Sequence, residues 1–469
     1  MSKKNQNYTN RKQNRFQPER MRGNIFVNNS GKQWLPGKNG RAAKVERLLR
    51  GLEKKEIAGN MAGYKDSGIE YIGQVPKDWE VLRLKNISNI YAAKEYLFGE
   101  WPVEKNGKPY SPFGEWSSGN EVIITGRVGT IGQYEMLEKN PKKKILINDN
   151  RLLIRPFTED YRKKALSHFL FWAMAIVNLN DIITGSAVPL ITATSLLKKR
   201  IVVPPLSEQQ RIADFLDTKC GILDRTIDAV SQQIEDLEKY KKALITKTVT
   251  KGICKKGEPE RAMKDSGVEW IGEVPEEWDV KRNSLNFDIR KTLVGENWSN
   301  MQLLSLTTNG VKNITIDDQV GKRPKTLATY QIAHKNDIVM CLFDLDASAV
   351  FSGLCKKNGI ISPAYKLLKC KNGMFPPYAE YYFRAVFDGR KYKKYAKSIR
   401  YTISTNDFMH LKMPVPPLAE QQQIADYLDE KCKNINNRVQ KRRQQLEWLK
   451  EYKKSLIFDY VTGKKRVEK

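Results

Sequence analysis

Histidine and cysteine are scarce in this chain, which contains 3 and 6 of them among 469 residues. The cysteines are scattered and form no Cys-x-x-Cys pair, so the sequence lacks the spacing typical of metal ligands. We expect reduced thiols in a cytoplasmic protein, with Cys220 and Cys432 as small apolar helix residues. His168, His334 and His410 are far apart in the chain, and surface or satisfied polar roles are expected for each.

Long apolar runs and nucleotide-binding motifs are also missing. No run reaches the ~20 apolar residues that a membrane-spanning helix needs, and the N-terminus lacks the apolar core of a secretory signal. The phosphate-binding pattern Gly-x-x-x-x-Gly-Lys-Ser/Thr and the dinucleotide pattern Gly-x-Gly-x-x-Gly do not occur. Residues 374–378, MFPPY, resemble the Asn/Asp-Pro-Pro-Tyr motif of amino-methyltransferases but lack its polar first residue. We therefore predict that this chain performs no covalent chemistry and itself binds no cofactor or metal.

Acidic residues are outnumbered, since 53 Asp and Glu face 82 Lys and Arg, for a net charge of +29. This excess favours a polyanionic partner, with nucleic acid as the first candidate and an anionic membrane surface as the second. Residues 1–60 alone hold 15 Lys or Arg and 4 Asp or Glu. Such a segment buries too little apolar surface to order itself, so we predict a disordered basic extension or an arm that contacts phosphates. Within it, residues 41–56 can form a short amphipathic helix.

Two blocks of sequence occur twice. Residues 64–84, YKDSGIEYIGQVPKDWEVLRL, return at 263–283 with 12 of 21 positions identical. Residues 201–220, IVVPPLSEQQRIADFLDTKC, return at 413–432 with 14 of 20 positions identical. Between these opening and closing blocks lie inserts of 116 and 129 residues that do not match in detail. A repeated frame with two different inserts indicates a protein that recognises two different targets.

The opening blocks have the composition of supporting structure, and Trp79 and Trp278, which match across the repeat, are expected in the core. Each insert alternates strand-like and helix-like segments. Strands are predicted at 121–125, 145–154, 337–343 and 365–370, and helices at 166–179 and 378–387. The sequence thus predicts a compact α/β domain in each half, with strands predominating in the middle.

Each closing block begins with a Pro-Pro pair, at 204–205 and 416–417, which stops any preceding helix and is acceptable at a first helical turn. Ser207 with Gln210 predicts a capping box for the first helix. The second copy has Ala419 in the serine position, so a different cap is expected there.

Both closing blocks continue into long helices with apolar seams at heptad spacing. The seam residues are Leu223, Ile227, Val230, Ile234, Leu237 and Leu244 in the first helix, and Ile435, Val439, Leu446, Leu449 and Leu456, with Arg442 and Lys453, in the second. A helix of roughly 40 residues spans ~60 Å. Neither helix buries its stripe alone, so we predict that the two pair within the chain, antiparallel if the inserts are to lie at opposite ends.

Candidate nucleic-acid contacts lie in polar loops of the inserts. The glycines of TGRVGTIG at 125–132 allow the backbone a close approach to a phosphate or groove. Further loops are GKRPKTLATY at 321–330, GSA at 185–187 and KSIRY at 397–401. The candidate DNA-binding residues are Arg127, Thr130, Ser186, Lys322, Arg323, Lys325, Arg400 and Tyr401. Arginine suits guanine, and serine or threonine suits either purine, so the set favours DNA in a chain of this charge.

The repeated blocks resemble the specificity (S) subunits of Type I restriction–modification systems. The resemblance rests on KDSGIEYIGQVPKDWEV at 65–81 with its echo at 264–280, and on PPLSEQQRIADFLD at 204–217 with PPLAEQQQIADYLD at 416–429. It covers residues 64 to about 462 and leaves out the basic extension. It implies an α/β fold in which two target-recognition domains alternate with two long helices that pair as an antiparallel coiled coil, in an internal pseudo-two-fold repeat. The expected parts are an extension at 1–60, recognition domains at 61–203 and 254–415, a spacer helix at 204–253, and a second spacer helix with the tail at 416–469.

The resemblance also implies partners. Two modification subunits, which carry S-adenosylmethionine and the adenine methyltransferase site, are expected to dock on the helical frame, and restriction subunits join for cleavage. The expected coil and docking residues are Gln209, Gln210, Leu223, Ile227, Ile234, Gln421, Gln422, Val439 and Leu446. Each recognition domain is expected to read one half of a bipartite site in double-stranded DNA. Because the inserts differ, that site is expected to be asymmetric.

Two alternatives remain at this point. A self-sufficient methyltransferase or nuclease is disfavoured by the missing motifs, and methylation of DNA by the purified chain would support it. A coiled-coil scaffold that binds ribosomes or RNA through its basic charge would bind without sequence preference.

Overall fold

The computed structural model describes residues 22–24, 63–92, 122–126, 131–136, 151–157, 165–185, 189–253, 257, 261–308, 310–315, 326–345, 351–396 and 401–467. The chain divides into two compact units, residues 1–227 with 447–469 and residues 228–446. Each unit contains one insert and part of both long helices. Among the described residues, no helix is long and apolar enough to cross a lipid bilayer. The five-part division of the chain stays a prediction.

The first unit combines a β-sheet with short helices and the start of a long one. Its strands are β1 (Arg22–Asn24), β2 (Tyr64–Asp66), β3 (Gln74–Pro76), β4 (Glu80–Arg83), β5 (Ser88–Ala92), β6 (Val122–Thr125), β7 (Gln133–Met136), β8 (Arg151–Pro156) and β9 (Arg200–Val203). Its helices are α1 (Ser167–Met174), α2 (Ala193–Leu197) and the first part of α3 (Leu206–Lys251).

Five strands form an antiparallel sheet in the order β1-β7-β6-β8-β5. Val122 and Ile124 of β6 are fully buried, as is Phe169 of α1, and all three belong to one core. The alternation of apolar residues in β6 therefore produces a buried face that packs in the same core as α1. The strand predicted at 121–125 and the helix predicted from 166 are confirmed, although α1 ends earlier, at Met174.

Part of the basic extension belongs to this sheet. Strand β1 pairs with β7, and Arg22 lies opposite Glu135. For these three residues the prediction of disorder is wrong, because an edge strand lends its backbone hydrogen bonds without needing an apolar side chain. The predicted helix at 41–56 lies outside the described residues.

The second unit has a larger insert. Its strands are β10 (Met263–Asp265), β11 (Glu273–Pro275), β12 (Asp279–Arg282), β13 (Phe287–Arg290), β14 (Leu303–Thr307), β15 (Gly310–Ile314), β16 (Gln331–Ala333), β17 (Ile338–Met340), β18 (Ser352–Leu354), β19 (Gly359–Ile361), β20 (Lys366–Cys370) and β21 (Lys412–Val415). Its helices are the second part of α3, α4 (Asn283–Asn286), α5 (Pro376–Asp388), α6 (Thr405–His410) and the first part of α7 (Leu418–Val461), whose last part belongs to the first unit.

The sheet order β13-β20-β17-β18 repeats the order β5-β8-β6-β7 of the first unit. A further sheet, β15-β14-β19-β16, has its own small core around Leu303 and Ile360. The strands predicted at 337–343 and 365–370 and the helix predicted at 378–387 are confirmed. The mixed α/β fold is therefore confirmed in both units, and among the described residues only the second insert has this further sheet.

Each opening block forms a hairpin followed by a strand that pairs with the closing block. Strand β4 pairs with β9, with Glu80 opposite Val203, and β12 pairs with β21, with Asp279 opposite Val415. The two ends of each insert therefore meet as antiparallel neighbours, so an insert can change without altering the frame.

Trp79 and Trp278 are fully buried, which confirms their predicted core role. The indole Nε1 of Trp79 donates to Glu208 at 3.0 Å, and that of Trp278 donates to Glu420 at 2.9 Å. Each glutamate lies in the first turn of a long helix. The bond therefore ties the opening block to the start of its helix in both units.

An arginine completes each of these clusters. Arg261 donates to both carboxylate oxygens of Glu420, at 2.6 and 3.1 Å, and Arg466 lies 3.6 Å from Glu208. The carboxylate of Glu420 raises the pKa of Arg261, so this arginine remains charged. The paired charges offset part of the cost of burying these carboxylates.

The long helices α3 and α7 begin in the same way. The backbone N–H groups of Glu208 and Gln209 donate to the carbonyl of Pro205 at 2.9 Å, and those of Glu420 and Gln421 donate to Pro417 at 2.9 and 3.0 Å. Helix α3 already includes Leu206 and helix α7 already includes Leu418, so neither Ser207 nor Ala419 lies at a cap position. The predicted capping box and the predicted difference between the two helix starts are therefore wrong. In both helices the prolyl carbonyl thus accepts from the N–H groups of the third and fourth helical residues.

Helices α3 and α7 contain 46 and 44 residues and pack together in each unit. In the first unit the Phe215 ring packs against that of Tyr460, with 4.4 Å between the ring centres, and Asp224 accepts from Lys453 at 2.6 Å. In the second unit Lys241 donates to Asn436 at 3.0 Å, and Arg443 donates to Glu238 at 2.7 Å. From one contact to the next within each unit, the residue number increases along α3 and decreases along α7, as it does for antiparallel helices.

The clusters at the helix starts lead to a stability prediction. Glu208→Ala leaves the buried Trp79 indole N–H without its acceptor, and we expect a loss of about 1–3 kcal/mol in the free energy of unfolding. Urea denaturation followed by far-ultraviolet circular dichroism measures it. The matched variant Glu420→Ala should lose more, because Glu420 also accepts two hydrogen bonds from Arg261, whereas Arg466 lies 3.6 Å from Glu208. Equal, negligible losses in both variants would contradict the assigned role of these bonds.

A pH dependence is expected at His168, whose Nδ1 lies 3.1 Å from Asp217. The hydrogen bond to Asp217 raises the pKa of His168 above its ordinary value of 6.5. The stabilisation is thus fully present below that value and is lost as the pH rises through the folded-state pKa. His168→Gln should therefore lower the urea midpoint more at about pH 5.5 than at about pH 8. The same loss at both pH values would show that the imidazole acts only through packing.

Candidate nucleic-acid interface

Tyr401 is the one predicted DNA-binding residue that the described ranges include. Its backbone has φ of 47°, a left-handed conformation that is uncommon for a residue with a side chain. Its carbonyl accepts from the backbone N–H of Leu345 at 3.4 Å, and Leu345 is buried. This hydrogen bond from the neighbouring loop thus holds the Tyr401 backbone in its left-handed conformation. The Tyr401 ring stays partly exposed. The other predicted contacts lie outside the described residues, namely Arg127, Thr130, Ser186, Lys322, Arg323, Lys325 and Arg400.

In the first unit, residues that flank two of these loops are hydrogen-bonded to each other. The backbone N–H of Ile191 donates to the carbonyl of Gly126 at 2.8 Å, and Ile191 is fully buried. Gly126 directly precedes Arg127, and Ile191 follows Ser186 by five positions in the chain. The bond therefore anchors the borders of both predicted contact loops at one point.

The same bond recurs in the second unit. The backbone N–H of Ile403 donates to the carbonyl of Leu342 at 2.9 Å, and Ile403 occupies the position equivalent to Ile191. Here the bond joins the loop that starts at Phe343 to the segment that carries Arg400 and Tyr401. Two matching junctions thus border segments of unrelated sequence.

Two short hydrogen-bonded closures shape the loop borders of the first unit. The N–H of Gly132 donates to Thr125 at 2.8 Å, and Gly132 has φ of 82°, which glycine adopts without strain. Thr184 and Leu190 exchange backbone bonds of 3.0 and 2.8 Å. The segments 126–131 and 185–189 are therefore each closed at the base by backbone hydrogen bonds.

Capped short helices follow both junctions, and the sequence reasoning missed them. The Thr192 hydroxyl accepts from the N–H of Ser195 at 3.1 Å at the start of α2. The Ser404 hydroxyl accepts from the N–H of Asp407 at 3.0 Å at the start of α6. The signal was present as Thr-x-x-Ser and Ser-x-x-Asp at equivalent positions, a typical helix-start pattern.

A basic 3-10 helix, Lys391–Lys394, lies beside Tyr401 and was also missed. The Lys393 ammonium is 4.6 Å from the centre of the Tyr401 ring, and that of Lys391 is 5.9 Å from the Trp270 ring. Lys394 pairs with Glu269 and lowers the pKa of that carboxyl. Cations ordered on aromatic faces are suited to bind phosphate, and the run RKYKK at 390–394 was the available signal.

The structure corrects the docking role predicted for Gln209 and Gln421. Both side chains are buried. Gln209 accepts from the N–H of Leu166 at 2.8 Å and donates to Pro204 at 2.8 Å. Gln421 accepts from the N–H of Phe375 at 2.8 Å and donates to Pro416 at 2.9 Å. A buried amide that is already bonded inside its own unit is not available to a partner subunit, so these residues anchor helices α1 and α5 instead.

The remaining predicted coil residues differ in exposure. Gln210 and Gln422 are exposed, and Gln210 donates to Asp214 at 2.8 Å. Val439 is buried on α7, whereas Leu223, Ile227, Ile234 and Leu446 are half-buried. Half-burial is typical of a seam shared by only two helices.

The described residues contain no group of three or more His, Cys, Asp or Glu side chains placed to hold a metal ion. His410 contacts the carbonyl of its own helix residue Asn406 at 2.8 Å. The MFPPY segment forms the first turn of α5, where Tyr378 is fully buried and donates to the carbonyls of Val249 and Pro414 at 3.1 and 3.0 Å. Its tyrosine is thus a core residue rather than part of a methyltransferase site.

Comparison with known proteins agrees with this arrangement. A family model described as the Type I restriction modification DNA specificity domain matches residues 76–239 and 308–447, more than half of the chain. The chain is 24% identical over 436 residues to the Type I restriction enzyme MjaVIII specificity subunit of Methanocaldococcus jannaschii, covering 84% of this chain and 95% of that one. It is also 24% identical over 440 residues to the putative type I restriction enzyme MjaX specificity subunit of the same organism, covering 85% and 96%.

A solved chain from a study of complex assembly and conformational transition of the type I R-M system shares the fold. It superposes with a TM-score of 0.58 at 14% identity, over 83% of this chain and 99% of that chain. The repeated frame, the paired loop junctions and these matches lead to one conclusion: the chain belongs to the family of Type I restriction–modification DNA specificity subunits.

Proposed function

We propose that this chain is the non-catalytic specificity subunit that reads an asymmetric, bipartite site in double-stranded DNA through two target-recognition domains. The observation that carries the proposal is the pair of matched junctions, Ile191 with Gly126 and Ile403 with Leu342. Each junction joins two loops at one point of a rigid core, and the loops differ between the units. Such an arrangement supplies one scaffold twice and two separate sets of base contacts.

Binding to DNA is supported by charge and by the surface around Tyr401. The net charge of +29 favours the phosphate backbone. Lys391 and Lys393 are ordered against aromatic rings and are proposed to contact phosphates. Arg127, Thr130, Ser186, Lys322, Arg323, Lys325 and Arg400 are proposed to contribute the remaining base and phosphate contacts. A single domain reads few base pairs, each worth ~1–3 kcal/mol of discrimination, so two linked readers achieve a specificity that neither has alone.

The asymmetry of the target follows from the difference between the inserts. The second unit adds the sheet β15-β14-β19-β16 to the shared four-strand arrangement. Its loops also have a different length and composition. Two different recognition domains require two different half-sites.

The two long helices are proposed to form an antiparallel coiled coil that fixes the gap between the half-sites. Asp224 bonds to Lys453, and the repeat-equivalent positions Asn436 and Lys241 bond to each other. Asp224 is equivalent to Asn436 and Lys453 to Lys241, so the same pair of positions meets twice. A pseudo-two-fold relation between the helices predicts this. A coil made from helices of 44 and 46 residues is compatible with half-sites about one groove turn, ~34 Å, apart.

Chemistry is assigned to partners. Two modification subunits are proposed to bind S-adenosylmethionine and methylate adenine, and restriction subunits are proposed to join them for cleavage of DNA in the cytoplasm. The exposed Gln210 and Gln422 remain candidates for docking on the frame, since the side chains of Gln209 and Gln421 point inward.

The decisive experiment is to co-express the chain with the modification subunit from its own operon and to map methylated adenines across the host genome. We expect a two-part asymmetric motif with a constant gap, which disappears when this chain is omitted. A soluble complex that adds no methylation would overturn the proposal. Methylation by the purified chain alone would support the enzyme alternative, and equal affinity for RNA of any sequence would support the scaffold alternative.

Individual contacts are testable in the same system. Arg127→Ala should relax or abolish recognition of one half-site, while Arg400→Ala and Tyr401→Ala should affect the other, since the residues belong to different units. Loss of one bidentate base contact corresponds to about 1–3 kcal/mol. Binding assays with DNA in which one half-site is scrambled measure it. If all three variants keep wild-type affinity and specificity, the contact assignments are wrong.

Phosphate contacts should behave differently. Lys391→Ala should weaken binding uniformly across sequences and reduce the slope of log affinity against log salt by about 1. Lys239→Ala on α3, an exposed lysine of the coil, is the matched control and should leave both quantities unchanged. A sequence-dependent effect of Lys391→Ala would show that this residue reads a base.

A further inference from the structure

One turn at the start of the second insert is polar where the equivalent turn of the first insert is apolar. Leu84 and Ile87 are fully buried in the first unit, and the repeat aligns them with Asn283 and Asn286. The two asparagines are buried as well, with 2% and 1% of their surface exposed. Because a buried amide costs free energy unless it is hydrogen-bonded, the second unit needs partners here that the first unit does not need.

The described chain supplies only some of these partners. The Asn283 Nδ2 donates to the carbonyl of Phe408 at 2.9 Å, so the Oδ1 atom of this amide is the acceptor that remains. Among the described residues, neither Asn283 Oδ1 nor Asn286 Nδ2 has a hydrogen-bond partner. One helical turn thus carries an unsatisfied acceptor and an unsatisfied donor. A water molecule can bond to both kinds of group, whereas a cation or an anion can bond to only one of them.

A cavity of about 20 Å³ lies against Asn283. Its wall is mainly aromatic and aliphatic, and it includes Tyr382 of α5, Phe408 of α6 and Lys412 of β21. A water molecule needs roughly 10–15 Å³ of such space. The cavity therefore has room for one water molecule, next to an amide that lacks a donor.

A second acceptor borders the same cavity. The hydroxyl of Tyr382 donates to the carbonyl of Lys412 at 3.2 Å, so its oxygen is left to accept a further hydrogen bond. Burial raises the pKa of Tyr382 above its ordinary value, so the phenol keeps its proton and this assignment of donor and acceptor holds at neutral pH.

We propose that the second unit binds one structural water in this cavity, which donates to Asn283 Oδ1 and to the Tyr382 hydroxyl oxygen and accepts from Asn286 Nδ2. Three hydrogen bonds to otherwise unsatisfied groups are typical of a buried water. The site is specific to the second unit, because Leu84 and Ile87 offer no polar side-chain atom at the equivalent positions.

The hydrated turn also positions a neighbouring segment. The Asn283 side chain bonds to Phe408, and its backbone N–H donates to the carbonyl of Leu411 at 2.8 Å. Ile403, whose backbone forms the loop junction of this unit, borders the cavity too. The water therefore fills the space between α4 and the segment 401–411, and it holds the orientation of the amide to which that segment is bonded.

A crystal structure of the full-length chain, at a resolution that shows ordered water, tests the site directly. We expect one water within hydrogen-bond distance of Asn283 Oδ1 and of the Tyr382 oxygen in the wild type. Asn283→Leu should lose this water, because leucine has no polar atom to bind it. A dry cavity in the wild type, or a protein donor bonded to Asn283 Oδ1, would overturn the proposal.

Urea denaturation distinguishes a hydrated amide from an unsatisfied one. Asn283→Leu removes the bonds to the water and to Phe408, so the urea midpoint should fall or stay the same. Removal of an unsatisfied amide would instead raise the midpoint, and that result would contradict the proposal. Leu84→Asn is the matched control, since it places an amide among the apolar core residues of the first unit, and it should lower the midpoint more than Asn283→Leu does.

Hydrogen–deuterium exchange measured by mass spectrometry tests the positioning role. Amides of the segment 401–411 should exchange faster in Asn283→Leu than in the wild type. Leu84→Asn should leave their exchange unchanged, because it acts in the other unit. Wild-type exchange of this segment in Asn283→Leu, or equally faster exchange in both variants, would overturn the positioning role.

Discussion

The structure depends on the closure of each insert at its base. Strand β4 pairs with β9 and β12 with β21, so the chain that leaves the frame returns to the strand beside it. A buried tryptophan then bonds to a glutamate in the first turn of the following helix, at 3.0 Å for Trp79 and 2.9 Å for Trp278. Because a buried indole N–H or carboxylate without its partner is costly, these bonds hold the strand pair and the helix start in one arrangement.

That closure explains how one frame tolerates two different inserts. The sheet order next to the frame is the same in both units, whereas the second unit carries a further sheet with its own core. The junction bonds at Ile191 and Ile403 recur at equivalent positions, yet the loops that they anchor share no pattern. The loop sequences can therefore vary while the core beside them stays the same, which is the separation of scaffold and loop typical of binding proteins.

The helices show the same division between shared and distinct positions. Lys453 and Lys241 both bond across to the neighbouring helix, one to an aspartate and the other to an asparagine. The outer faces share a tyrosine but differ between Trp448 and Asp236. The Lys453 and Lys241 positions between the helices are thus the same in both copies, whereas the Trp448 and Asp236 positions on the outer faces differ.

The sequence by itself determined the repeat, the two long helices, the buried role of Trp79 and Trp278, and the main strands of each insert, since local spacing and repetition carry these features. It could not determine that the side chains of Gln209 and Gln421 point inward. A glutamine near the polar start of a helix is buried only if another segment of the chain donates a backbone N–H to its amide oxygen. It did not reveal that Ile191 and Ile403 join two distant loops, or that the 3-10 helix Lys391–Lys394 lies against Tyr401 and Trp270. Those features arise from contacts between residues far apart in the chain, so only the tertiary structure decided them.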